Sequence, residues 1–100
     1  INKQTLSLMR KSAFLINTAR GGLIDEKALQ HSLSMGNIAG YAADVISEEP
    51  MKAANPLLRA PNAVITPHIA WASYETRSRL MTIVEQNIAG FICQKTQNVI

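Results

Sequence analysis

Three short apolar runs, each closing on polar residues, constrain this chain more than any other feature. They are Ser12-Ala13-Phe14-Leu15-Ile16-Asn17-Thr18, the stretch 38–45 (IAGYAADV) and Ala63-Val64-Ile65-Thr66. Runs this short and this uniformly apolar fit strands of a parallel sheet covered on both faces. Between the first two, Arg20-Gly21-Gly22 breaks the chain, and Asp25 opens a segment in which Leu29 and Leu33 recur at helical spacing until Gly36 and Asn37 end it. Strand, helix and strand in that order imply a right-handed crossover. Gly40 inside the second run marks a place where something approaches the backbone closely.

Around this unit the signals extend the same architecture. Asn2 caps a short helix ending near Met9. Residues 47–62 form a long irregular connection punctuated by Pro50, Pro56 and Pro61. Ser73, with Glu75 in the first turn, starts the longest periodic segment, whose stripe is Leu80, Ile83, Val84, Asn87, Ile88, Phe91 and Ile92. That helix is expected to end near Lys95, leaving 96–100 as an extended tail. The fold expected is α/β: an αβαββα-like second half of a Rossmann-like, doubly wound parallel sheet, ending in a long C-terminal helix. Because the chain begins with Ile and not Met, an upstream portion is expected.

Composition removes several classes of function. A net charge of +3, with basic residues scattered and only 5% aromatics, is not a nucleic-acid footprint. The single cysteine, Cys93, excludes an internal disulfide, and with two histidines there are too few ligands for a structural zinc site. A reducing, cytoplasmic address is expected, without a membrane span or signal peptide. Cys93, beside the apolar stripe, reads as a small core residue. Neither GxGxxG nor GxxxxGK[ST] occurs, so no phosphate-binding loop is present.

Open parallel sheets bind ligands at the carboxyl ends of their strands. Here those ends carry Asn17 to Gly21, Asp44 to Pro50 and Thr66 to Trp71. His68, directly after a strand and held by Pro67, suits a general acid/base, although taken alone a structural histidine is the commoner reading of such a residue. His31, in mid-helix, reads as solvated. Either Glu48 or Glu49 could orient a histidine, and spacing does not choose between them. Arg20, between a strand and two glycines, is either an anion clamp or a structural cation. Asp44 is either a turn cap or an acceptor for a ligand amide.

Taken in order, residues 9–29 (MRKSAFLINTARGGLIDEKAL), Gly36-Asn37-Ile38-Ala39-Gly40, Asp44-Val45, Glu49-Pro50 and Thr66-Pro67-His68-Ile69-Ala70 resemble the D-isomer-specific 2-hydroxyacid dehydrogenase family over essentially the whole chain. Thr66 to Ser73, Arg77, Arg79-Leu80, Asn87-Ile88 and Gln97-Asn98-Val99 are similar to its glycerate dehydrogenase or hydroxypyruvate reductase branch. The resemblance implies a hydride-transferring oxidoreductase that uses NAD or NADP on a small 2-keto or 2-hydroxy acid. It assigns catalysis to Arg20, Glu49 and His68: Arg20 binds the substrate carboxylate and carbonyl, His68 protonates the ketone oxygen, and Glu49, preferred to Glu48, keeps His68 protonated and oriented. Thr18, Ala19, Arg20, Asp44, His68 and Ala70 would lie against the coenzyme.

The resemblance further implies that residues 1–95 are the C-terminal half of an NAD(P)-binding domain and that 96–100 return toward a substrate domain. The parent is expected to be a homodimer and this portion alone inactive. A dinucleotide-sensing, corepressor-like binding protein on the same fold is the alternative.

Overall fold

A computed structural model describes residues 1–99. The chain divides into two compact units, Ile1–His68 and Ile69–Ile100. In chain order the first holds helix α1 (Lys3–Ser7), strand β1 (Phe14–Asn17), a 3₁₀ turn (Gly21–Leu23), helix α2 (Glu26–Ser34), strand β2 (Gly40–Ala43), a second 3₁₀ turn (Pro56–Arg59) and strand β3 (Ala63–Ile65). The second holds helix α3 (Tyr74–Ile92). The αβαββα order is as expected from the sequence, and the sheet is parallel.

The sheet order is β1-β2-β3 and both pairings are parallel. Phe14 aligns with Gly40 and Asn17 with Ala43, and Ala43 in turn aligns with Ile65, so the carboxyl ends of all three strands meet along one edge. The close approach expected at Gly40 is made by the Phe14 ring: a Cβ there would lie 2.8 Å from it and 3.1 Å from the Asn62 carbonyl oxygen.

Local chemistry sets the helix starts. Asn2 accepts from the Gln4 and Thr5 amides, while the Thr5 hydroxyl takes the Asn2 amide, a reciprocal capping box. Asp25 Oδ1 accepts from the Ala28 amide at 3.0 Å and starts α2. The core lies between α1, α2 and one face of the sheet, with Leu6, Leu29, Leu33, Ile38, Tyr41 and Leu57 at its centre. The Pro56–Arg59 turn gives the 47–62 connection a buried anchor, Leu57, that the pattern of breakers did not reveal.

Coverage of both sheet faces is not what this unit provides. Phe14 (69% exposed), Ile16 (68%) and Val64 (65%) lie on an open face, because α1 and α2 both pack against the other one. In α3, Ser73 caps through the Thr76 amide as the sequence predicts, but the helix ends at Ile92 and none of its residues is buried. Cys93, expected in the core, is exposed and is the C-cap residue of α3. Thr96–Val99 have no regular structure, and Asn98 Nδ2 donates to Asn87 Oδ1 at 2.9 Å. The last residue of the expected 96–100 tail, Ile100, lies outside the described residues. Among those described, no helix is long and apolar enough to cross a membrane.

Leu29 is wholly buried at the point where α2 meets the sheet. Leu29→Ala is expected to cost about 2–5 kcal/mol, read as a fall in the urea midpoint with an unchanged m-value.

Candidate active site

The first two strands each end at a buried polar residue that holds the following loop in place. After β1, Asn17, itself buried, donates through Nδ2 to the Arg20 carbonyl at 2.9 Å and accepts the Ala19 amide on Oδ1 at 3.1 Å. These two bonds fold Thr18, Ala19 and Arg20 into a fixed turn. Tyr41 lies beside this amide; burial pushes its hydroxyl above the ordinary value of 10.0, partly offset by the bond with Asn17. Arg20 is extended, its guanidinium donating to the Ala19 carbonyl at 2.7 Å.

After β2, Asp44 is buried, and its carboxylate accepts a short hydrogen bond from the Thr66 hydroxyl, which joins the second strand end to the third. The Asp44 amide donates to the Asn17 carbonyl at 3.0 Å, tying in the first strand as well. The main chain then passes directly over Gly21, where a Cβ would lie 1.8 Å from the Ile46 carbonyl carbon and 2.3 Å from the Ser47 nitrogen. Only glycine admits this contact.

After β3, His68 has a φ of 55°, in the left-handed region, and its amide reaches back to the Thr66 carbonyl at 3.0 Å. Histidine enters this region more readily than most side chains, and such conformations gather at functional sites. Its Nδ1 lies 2.7 Å from Glu49 Oε2. An ionised carboxylate only accepts, so Nδ1 carries the proton of this bond and Nε2 is the nitrogen suited to proton transfer. Glu49 Oε1 accepts the Ile46 amide at 3.2 Å. Of the two glutamates, Glu49 is the one at the imidazole, while Glu48 pairs with Lys52 at 2.5 Å, an exposed contact worth little.

The imidazole bond first, and the Ile46 amide second, hold the Glu49 carboxyl below its ordinary value of 4.5. A depressed carboxyl favours the folded arrangement above the ordinary pKa, and that contribution is lost as the pH falls through the depressed value.

Arg20, Gly21, Gly22, Ile46, Glu49 and His68 line one cavity of about 280 Å³. A second, of about 500 Å³ and mostly apolar, is lined by Asp44, Pro50, Met51, Leu57, Ile65 and Thr66 among others. Ile46, Glu49 and His68 border both, so the hydrogen-bonded pair forms part of the wall between them. The structure thus brings Arg20, Glu49 and His68 to one cavity and puts Asp44 on the next. Thr18 and Ala19 belong to the turn that presents Arg20, while Ala70 belongs to the second unit. His31 is exposed on α2, as its sequence context suggests. Asn17 and Thr66, which fix the strand ends, were not singled out by sequence; an amide closing an apolar run was the available signal for Asn17.

The family model for the D-isomer specific 2-hydroxyacid dehydrogenase NAD binding domain matches residues 1–70. The chain belongs to this family. It is 46% identical to the glycerate dehydrogenase of Methylorubrum extorquens, covering 100% of this chain and 32% of that protein. Among solved structures it is similar to an acyclic imino acid reductase in complex with NADPH and D-Arg, at 42% identity and TM-score 0.79, over 98% of this chain and 31% of that one. It is also similar to the NADPH-dependent glyoxylate/hydroxypyruvate reductase of Sinorhizobium meliloti, at 37% identity and TM-score 0.73, over 92% and 29% respectively. The chain therefore spans about a third of the length of the relatives it matches.

Removing the imidazole should release the Glu49 carboxyl. In His68→Ala, its titration, followed by side-chain ¹³C NMR, is expected to move up toward 4.5, with the remaining depression due to the Ile46 amide.

Proposed function

We propose that this chain is the C-terminal third of an NAD(P)-dependent D-2-hydroxyacid dehydrogenase that reduces a small 2-keto acid of the hydroxypyruvate or glyoxylate type. The observation that carries this reading is the convergence of Arg20 and the His68–Glu49 pair on one cavity. The donor set fits a 2-keto acid: a guanidinium for the carboxylate, an imidazole for the ketone oxygen and a carboxylate to hold the imidazole. It also fits a nicotinamide, with the buried Asp44 carboxylate as acceptor for the ring's carboxamide and the backbone of 18–20 beside it.

When bound, the dinucleotide supplies the hydride. Arg20 binds the substrate carboxylate and polarises the adjacent carbonyl. His68 gives a proton from Nε2 to the ketone oxygen as the carbonyl carbon takes up hydride, so the C=O double bond becomes an alcohol. Glu49 holds the tautomer and ring plane through Nδ1. In this reading residues 1–95 belong to the coenzyme domain and 96–100 lead back to the substrate domain. The intact protein is a cytoplasmic homodimer; the exposed Leu80, Ile88, Phe91 and Ile92 of α3 support a covered position for that helix.

The test is NADH and NADPH oxidation by the intact protein with hydroxypyruvate, glyoxylate and pyruvate. His68→Ala is expected to lower kcat about 10²–10⁴-fold with little change in KM. Arg20→Ala should raise KM and lower kcat together, because it touches the substrate in ground and transition states alike. Unchanged turnover in His68→Ala would remove the acid/base assignment. Dinucleotide binding without turnover of any 2-keto acid would point instead to a sensor.

A further inference from the structure

Glu49 is presented by an exposed loop, and the question is what holds that loop against the imidazole. Residues 47–50 and 52–54 are all exposed, so burial does not fix them. Both ends of the segment nevertheless reach the same side chain on another element. Glu26, in the first turn of α2, accepts the Ser47 amide on Oε1 at 2.7 Å and the Asn55 Nδ2 on Oε2 at 2.9 Å. Asn55 passes the restraint on, since its Oδ1 accepts the Leu57 amide at 2.9 Å and Leu57 is buried in the core. The base of this anchor is rigid, because α2 seats Leu29 and Leu33 in the same core.

A glutamate in a first helical turn often serves only the helix, opposing the charge of its amino end. Here Asp25 already supplies the cap, and both Glu26 oxygens are engaged by the loop. Glu26 lines neither cavity described above. We propose that Glu26 is a positioning residue: by clamping the two ends of the 47–55 segment, it sets where Glu49 meets His68, and it acts on the reaction only through them. This rests on the roles given to Glu49 and His68 under Proposed function.

The clamp requires one partner that only accepts and one amide that donates, which suggests an exchange of roles. Glu26→Gln places an amide NH₂ against the Asn55 NH₂, and Asn55→Asp places two carboxylates together; either change breaks one arm. Combined, they restore both: the introduced amide donates to the introduced carboxylate, and its oxygen still accepts from Ser47. The experiment measures, in the intact protein, the two single variants and the double variant for kcat, KM for the 2-keto acid, and the ¹³C titration of the Glu49 carboxyl.

Each single variant is expected to move the Glu49 titration toward its ordinary value and to lower kcat about tenfold, with KM changed by less than about twofold. The double variant should recover both. If a single variant fails to fold, recovery of the Glu49 titration in the double variant still supports the clamp. An unmoved Glu49 titration in folded single variants overturns it, whatever happens to activity, as does a folded double variant that recovers neither property. A wild-type protein without turnover whose Glu49 titration still follows the clamp would defeat the proposed function and leave the positioning role standing.

Discussion

Parallel pairing is the constraint on which the rest depends. Two strands that run the same way cannot be joined by a tight turn, so the chain must leave the sheet at one edge and return to it at the other. In this unit the outgoing edge ties Asn17 to Asp44 through main chain and Asp44 to Thr66 through side chains. Arg20, Glu49 and His68 all lie in loops beyond that edge, and Asn17, the last residue of β1, is the polar strand residue that holds the first of these loops.

The loops beyond the edge are held by a small number of polar side chains and very little apolar packing. Asn17 closes the turn that carries Arg20, Asp44 joins the second loop to the third, and Glu26 reaches across to the segment carrying Glu49. This division of labour suits a site that must expose charged groups. A hydrophobic anchor would bury the loop it holds, whereas a bonded amide or carboxylate fixes the main chain and leaves neighbouring side chains open to a ligand. Leu57, buried in the core, gives the long connection an apolar foothold, and the partly buried Ala60 packs against the same core.

Much of the framework was legible in the sequence because its causes are local. The capping residues Asn2, Asp25 and Ser73, the helical spacing of Leu29 and Leu33 and the three apolar runs all announce themselves within a few positions. What escaped has causes distant along the chain or absent from it. Glu26 meets Ser47 and Asn55 across 21 and 29 positions, and no short pattern encodes such a pairing. The left-handed turn at His68 accompanies its contacts with Glu49 and Thr66, of which Glu49 lies 19 positions away. Phe14 and Ile16 look as buried as Leu15 by composition, yet only one side of the sheet is covered within this unit, so alternation appears where a continuous apolar run was written. Cys93 was misjudged for the same reason, since a stripe specifies a face and not what lies against it.

The contact at Gly21 adds a limit of a different kind. Because the Ile46–Ser47 main chain rests on a bare α-carbon, the separation between the Arg20 turn and the Glu49 loop is fixed by backbone thickness alone. No exchange of side chains at that crossing can widen the cavity by a methyl group or narrow it by one. Under the proposed function, a change of substrate is therefore accommodated at other walls, while the spacing between the Arg20 turn and the Glu49 loop stays as it is.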